Sequence, residues 1–363
     1  MEDKYICTFL LHALGDTIGF NNSDWEFNYS KESDLFTVIE LICEFIDFGG
    51  VNGIDLKDWI ISDDTLYHMA IAKTILKYKT FDDAFILLAK NNLVRMHNKM
   101  IDEEKKGINR HPGKITEYYI QKFTETEDGR TLQYRTETGG NGAAMRNLCI
   151  GLAFYKESDI DDLINISINL SKLTHNSALG YLAGFTSAYF VSLALREINI
   201  NKWVYMLLDI LDSETIKSHI NDKNNVEYSD YINYIGFWKK YLDTRFNDGK
   251  PIKTRSTSNV IYRIKYYYEN FVKDTRADFI GGSGYCAMIM AYDALIDCDG
   301  KWEKLIFYAM LHPGDSDTIG AIAGGIYGIM YGYGDVPEKM LCCIEEKEQL
   351  LLLGKKFYKK FYN

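Results

Sequence analysis

Near the end of the chain the sequence reads His312-Pro313-Gly314-Asp315-Ser316-Asp317-Thr318-Ile319-Gly320. Two carboxylates two residues apart, in a turn that gives way to a small-residue helical pattern, can converge on one point. A second cluster, Ser62-Asp63-Asp64-Thr65, precedes the apolar run Leu66 to Leu76. Taken singly, each reads as an acidic cap and first turn of a helix. Taken together, they offer Asp63, Asp64, Asp315 and Asp317 to one corner. Like charges about 4 Å apart repel by about 4 kcal/mol per pair at an effective dielectric near 20. Divalent cations reverse that sign, and oxygen-only donors select Mg²⁺, Mn²⁺ or Ca²⁺ over zinc or copper. The chemistry within reach is di-metal hydrolysis at a sugar or phosphate oxygen.

Three further places carry chemical residues. Glu26 lies between Trp25 and Phe27; a carboxylate among aromatics tends to have a raised pKa and can serve as acid or base. Gly139-Gly140-Asn141-Gly142 opens into Ala143-Ala144-Met145-Arg146, read as a helix start. Glycines there can present N–H groups to a pyrophosphate, or mark only a tight turn. The spacing fits neither the dinucleotide nor the P-loop pattern. His175, before an uncharged helical run, can cap it, sit in the core or touch substrate.

These corners need elements to hold them, and the pattern between them is helical throughout. Runs at Tyr5–Ile18, Leu35–Phe48 and from Asp63 or Asp64 read as the first three helices. A fourth is capped by Thr80 and runs to about Leu93, and a charged loop follows from Asn98 to Gly113. Another polar, turn-rich stretch, Thr124 to Gly142, precedes a helix capped by Ser158. No β-alternating run, linker or repeat interrupts the pattern, so the expectation is all-α, one large multi-helix domain over residues 1–363. Glycine and alanine from Gly320 to Gly332 imply close helix–helix approach at the centre.

The 363 residues carry a formal net charge of -10, which argues against a nucleic-acid surface. Seven scattered cysteines without a C-x-x-C pair suggest reduced, mostly buried thiols. Ser177 to Leu195 is uncharged and about long enough to cross a bilayer. Its Ser, Thr, Gly and Tyr content keeps it modest, and a central helix of a helical protein reads the same. A soluble, cytoplasmic monomer is expected.

In order and spacing these motifs resemble the ADP-ribosylglycohydrolase family, from about Tyr5 to Gly334. The Ser62-Asp63-Asp64-Thr65 and Gly314-to-Gly324 signatures match in every acidic position. Gly15-Asp16, Gly140-Asn141-Gly142-Ala143-Ala144-Met145-Arg146, Leu173-Thr174-His175 and Ala291-Tyr292-Asp293-Ala294 match as well. Trp25-Glu26-Phe27 and the chain length look most like the ADP-ribosylarginine hydrolase branch. The resemblance implies two Mg²⁺ (or Mn²⁺) ions held by Ser62, Asp63, Asp64, Asp315, Asp317 and Thr318. Catalysis would fall to Glu26, Asp63, Asp64 and Asp315. Gly140, Asn141, Gly142, Ala143, Met145, Arg146 and His175 would hold ADP-ribose. The substrates would be ADP-ribosylated proteins, and ADP-ribose the product. One departure stands out: the arginine branch carries Ser-Gly-His-Asp-Ala-Pro where this chain reads Ser283-Gly284-Tyr285-Cys286-Ala287-Met288. Tyr285 is expected to stack on the guanidinium there. The alternatives are an O-linked substrate (serine-linked or O-acetyl-ADP-ribose) and a non-catalytic ADP-ribose-binding relative.

Overall fold

The computed structural model of the protein describes residues 1–27, 35–125 and 133–362. Its centre is set by glycines. Helix α1 (Glu2–Phe20) is buried at every residue from Tyr5 onward. It crosses the helix Ser316–Tyr331 backbone to backbone. A Cβ on Gly15 would lie 2.0 Å from the Gly320 oxygen, and one on Gly19 would lie 2.2 Å from the Ser316 oxygen. Any side chain at either position would force the helices apart, so the small-residue pattern does produce the close approach it implied.

The remaining helices surround this pair: α2 (Leu35–Asp47), α3 (Asp63–Ile75), α4 (Asp83–Glu104), α5 (Lys114–Glu125), α6 (Leu148–Ala153), α7 (Ile160–Lys172) and α8 (Ala178–Leu195). Then come α9 (Trp203–Leu211), α10 (Asn225–Arg245), α11 (Arg263–Phe271), α12 (Gly284–Asp297), α13 (Trp302–Ala309), α14 (the Ser316–Tyr331 helix) and α15 (Lys347–Phe357). Short helical turns join some of them. A single hairpin pairs Phe246 with Pro251 and Asn247 with Lys250, so among the described residues the fold is all-α. Helix α8 has a mean hydropathy of 1.5 and is 94% buried inside the protein. Its apolar composition belongs to the core.

Several boundaries differ from the sequence reading. Asp82, not Thr80, caps α4: its carboxylate accepts the Phe85 N–H at 2.8 Å, and Thr80 supports it with a hydroxyl at 2.9 Å. That helix runs on to Glu104, through charged residues read as loop, because they form its outer face. Ser158 lies in a helical turn before α7 and caps nothing. Residues 143–146 are turns rather than a helix start, and regular helix begins at Leu148. Part of the Thr124–Gly142 stretch lies outside the described residues.

The Ala291-Tyr292-Asp293-Ala294 motif is structural. Asp293 is fully buried and accepts from Arg245 at 2.6 Å, Tyr241 at 2.7 Å and Tyr267 at 2.6 Å, and also from Arg263. Burial alone would raise its pKa, but Arg245 and Arg263 outweigh it and hold the carboxyl at about 2. This charge-paired hub ties α10, α11 and α12 together.

Candidate functional site

The site is assembled from helix ends registered against α1. Ser62 is the N-cap of α3, its hydroxyl accepting the Asp64 N–H at 3.1 Å. From α1, the buried Asp16 carboxylate accepts the Ser62 N–H at 3.0 Å and the Thr65 N–H at 3.2 Å, and takes the Thr65 hydroxyl as well. Two of the N–H groups that a helix start leaves open are thus satisfied by another helix. On the other flank the Ser316 hydroxyl donates to the Gly19 carbonyl at 2.7 Å. The starts of α3 and α14 are therefore both fixed to the same few residues of α1.

A second clamp lies behind Asp63. Arg110 is nearly fully buried and donates to the Ile61 carbonyl at 2.6 Å, to Glu103 at 2.6 Å and to both oxygens of Glu345 at 2.9 and 2.7 Å. The Arg110 carbonyl accepts the Asp63 N–H at 3.1 Å, and Glu345 accepts the Ile61 N–H at 3.0 Å.

Between these supports the carboxylates converge. Oxygens of Glu26, Asp315 and Asp317 lie within 4.8 Å of one another, all three residues buried. Asp63 and Asp64 face this group from the start of α3. Burial pushes the pKa of Asp64 well up, and Asp63, Asp16 and Asp315 push further, with the Thr318 side chain opposing. Asp63 and Asp317 are driven well up by burial and by Glu26, and Asp315 is also raised by burial. Glu26 is pushed up to about 7, first by burial and then by Asp315 and Asp16, against the pull of His111. The His111 Nδ1 lies 3.3 Å from its Oε2. Asp16 rises to about 6 through burial, its hydrogen bonds opposing.

The donor set fits divalent cations. It consists of carboxylates and hydroxyls, the hard oxygen ligands that Mg²⁺ and Mn²⁺ take. One of its oxygens, Asp64 Oδ2, is buried with no hydrogen-bond partner among the described residues. A buried carboxylate oxygen left unpaired is costly, and a cation beside it removes the cost.

The predicted binding loop stands next to this cluster, and one of its residues braces it. Asn141 donates its amide to Asp315 Oδ2 at 2.7 Å and to the Gly281 carbonyl at 2.8 Å, which makes it a strut for the acidic corner. Gly140 pairs with Ser283, and the Gly284 N–H reaches the Gly139 carbonyl at 2.9 Å. Gly142 lies against His175: a Cβ there would meet the ring carbon at 2.7 Å. The N–H groups of Gly142 and Ala143 find no backbone acceptor among the described residues. His175 is buried, hydrogen-bonded to the Thr174 hydroxyl at 2.7 Å, and kept neutral by burial and by Arg146.

Three of the substrate-contact expectations need correction. Arg146 is fully buried and donates to the Gly142 carbonyl at 2.9 Å, the Leu170 carbonyl at 3.2 Å and the Thr174 hydroxyl at 2.8 Å. It props the loop from behind, its guanidinium held inside the fold. The Met145 side chain is buried too, with its N–H bonded to the Asn141 carbonyl at 3.2 Å and its carbonyl accepting His12 Nε2 at 2.8 Å; the Ala143 side chain is buried, which leaves only its backbone N–H to offer. The Tyr285 ring is 2% exposed, stacked on Phe237 with centroids 3.8 Å apart, and its hydroxyl donates to the Phe271 carbonyl at 2.9 Å. No face of it is free for a guanidinium. An aromatic pair does stand beside Glu26: Phe27, 40% exposed, meets Phe279 edge to face at 4.6 Å.

Sequence reasoning missed Asp16, Arg110, His111 and Glu345 as parts of the site. Asp16 had a signal, a carboxylate in the apolar run Tyr5–Ile18 and in the matching Gly15-Asp16 pair. The other three had none, since their partners are far away in sequence.

Comparison with known proteins agrees with this geometry. The family model described as ADP-ribosylglycohydrolase matches residues 1–363. A protein of Acanthamoeba polyphaga mimivirus, provisionally named an ADP-ribosyl glycohydrolase, is 36% identical over 323 residues, or 88% of this chain. The alignment spans 62% of that relative's length. ADP-ribosylhydrolase ARH1 of Dictyostelium discoideum is 32% identical over 355 residues, covering 91% of this chain and 87% of that one. Human ADP-ribosylhydrolase ARH3 is 24% identical, covering 96% and 91%. A solved structure described as an ADP-ribosylglycohydrolase-related protein complex superposes with a TM-score of 0.58 at 18% identity, over 99% of this chain and 98% of that one, which speaks for the fold. With matching signatures, a matching all-α fold and a family match from end to end, the chain belongs to the ADP-ribosylglycohydrolase family.

Proposed function

We propose that the protein is a Mg²⁺- or Mn²⁺-dependent hydrolase that removes ADP-ribose from modified proteins, cleaving the N-glycosidic bond to arginine. The observation that carries the reading is the convergence of Glu26, Asp315 and Asp317 within 4.8 Å. Asp63 and Asp64 face them, in a pocket where burial works against every one of these charges. Ser62, Asp63, Asp64, Asp315, Asp317 and Thr318 would hold the ions. When bound, the ions neutralise the cluster and offer Lewis-acid sites for sugar hydroxyls and water. The protein's own groups do the rest. Glu26, raised to about 7, holds or gives up a proton at its carboxyl close to neutral pH. The N–H groups of Gly142 and Ala143, against the neutral His175, present uncharged donors suited to a diphosphate. Orienting both ends of the substrate in this way favours departure of the leaving group through an oxocarbenium-like transition state.

The linkage rests on the leaving-group side. Guanidinium favours an aromatic face with a carboxylate nearby, and the Phe27–Phe279 pair beside Glu26 supplies both. Matched arginine-linked and serine-linked ADP-ribosyl substrates, with and without EDTA, test the reading. Arginine-linked release that stops on chelation is expected. A serine-linked preference above about tenfold, roughly 1.4 kcal/mol in transition-state binding, would overturn the arginine assignment. Full turnover after exhaustive chelation would overturn metal dependence.

A further inference from the structure

Away from the acidic corner, the far end of α3 borders a cleft of opposite character. It has a volume of about 770 Å³ and lies between α3, α4 and α15 with the residues just beyond it. Six cations line it, namely Lys73, Lys77, Arg95, Lys356, Lys359 and Lys360, and no carboxylate does. That is a marked concentration in a chain of net charge -10. Three of them, Lys73, Arg95 and Lys360, donate to uncharged acceptors. Lys73 reaches the Gln349 amide oxygen at 3.3 Å, Arg95 the Asn92 amide oxygen at 3.2 Å, and Lys360 the Leu76 and Tyr78 carbonyls at 3.0 Å each. Glu346, whose charge acts on Lys73, is paired with Lys99 at 2.7 Å. Burial and the neighbouring cations, Arg95 foremost, push the Lys73 ammonium below its usual pKa despite Glu346; Lys360 is likewise lowered by burial, Lys77 and Lys79.

A helix C-terminus accounts for cations near its last turn. It covers Lys73 and Lys77 at the end of α3, and Lys356, Lys359 and Lys360 at and beyond the end of α15, but neither Arg95 nor the convergence of both helix ends on one cleft. Beneath the cations the floor is aliphatic, with Leu76, Leu88 and Leu353. The volume suits a nucleotide-sized molecule. We propose that this cleft is a second binding site, for a small organic polyphosphate, with its phosphates among the six cations and its uncharged body on the leucines. The site is distinct from the acidic one. Helix α3 has 13 residues, so at about 1.5 Å per residue the two lie roughly 20 Å apart along one rigid element.

Calorimetry with ATP and with inorganic tripolyphosphate tests this, in excess free Mg²⁺ and with saturating ADP-ribose to occupy the other site. One equivalent is expected to bind, more weakly as salt rises. The double change Lys356→Gln with Lys359→Gln should lower affinity about tenfold or more, whereas Lys356→Arg with Lys359→Arg should retain it. Ligand should also slow amide exchange along α15, a readout independent of any variant. Unchanged affinity in the glutamine pair, full competition by ADP-ribose, or binding of a short single-stranded RNA without binding of tripolyphosphate would each overturn the proposal.

Discussion

Asp16 and Ser62 are joined by a hydrogen bond of 3.0 Å from the Ser62 N–H to the Asp16 carboxylate, across 46 positions of sequence. A residue in one helix thereby caps another, and the two aspartates that follow Ser62 are aimed by that contact. Because it accepts hydrogen bonds from three donors, the Ser62 N–H, the Thr65 N–H and the Thr65 hydroxyl, the carboxylate is a positioning group whose worth lies in geometry.

Asp16→Asn keeps the shape but replaces one acceptor oxygen with a donor facing N–H groups. A loss of about 1–3 kcal/mol in stability is expected from the groups left unpaired, together with weaker Mn²⁺ binding. Denaturant unfolding and calorimetry check the two. Unchanged metal affinity would show that the start of α3 holds its aim without α1.

Metal should stabilise the fold by mass action, by about 2.7 kcal/mol at one hundred times the dissociation constant. Asp64→Asn removes the carboxylate whose Oδ2 has no partner. The metal-free variant should therefore melt higher than the metal-free wild type, while turnover is lost. A lower melting temperature in that variant would mean that the unpaired oxygen costs the fold nothing.

Acid should weaken the protein through its buried histidines. Burial holds His12 at about 4, against the bond it makes to the Met145 carbonyl. Since the folded pKa lies below the ordinary value near 6.5, the unfolded chain binds the proton first, and stability falls as pH drops from about 6.5 to about 4. The term amounts to roughly 3 kcal/mol over that window. His12→Gln should flatten the difference between urea midpoints at pH 7 and pH 5 relative to wild type. Parallel pH profiles would rule out His12 as the source.

Gly142→Val places a branched side chain where the ring of His175 already stands. ADP-ribose affinity should fall by more than about tenfold, with divalent binding nearly unchanged. His175→Ala in a Gly142→Ala background should recover the fold by opening the space. Equal losses of metal and ADP-ribose binding would mark the loop as a structural turn only.

Phe27→Ala tests the leaving-group side. The expected result is a several-fold rise in KM for an arginine-linked substrate, with the affinity for free ADP-ribose unaltered. A matching loss for both would place Phe27 in the support of Glu26 and not against the acceptor.

The legible parts of this molecule were those written locally. Ser62 and the acids behind it announce a helix start, the glycines from Gly320 onward announce close packing, and an uncharged α8 announces a core. What stayed hidden depends on partners far away in sequence. Arg110 looks like a loop arginine until Glu345 arrives from the other end of the chain, and Asn141 looks like a turn residue until Asp315 takes its amide. Arg146 and Tyr285 were misjudged for one reason: a side chain able to bind a ligand is equally able to bind its own fold, and only burial decides which.

The backbone contact between α1 and α14 has a consequence in time. Ser316 and Gly19 are 297 positions apart, so a ribosome delivers the first half of the acidic corner long before the second. Until then α1 has no partner for its glycine face, and Asp63 and Asp64 have nothing to converge with. A nascent chain therefore carries no complete cation site, and such distant closure is slow. The corner comes into being only once Asp315 to Thr318 have emerged, and assembly of the centre and of the site are the same event.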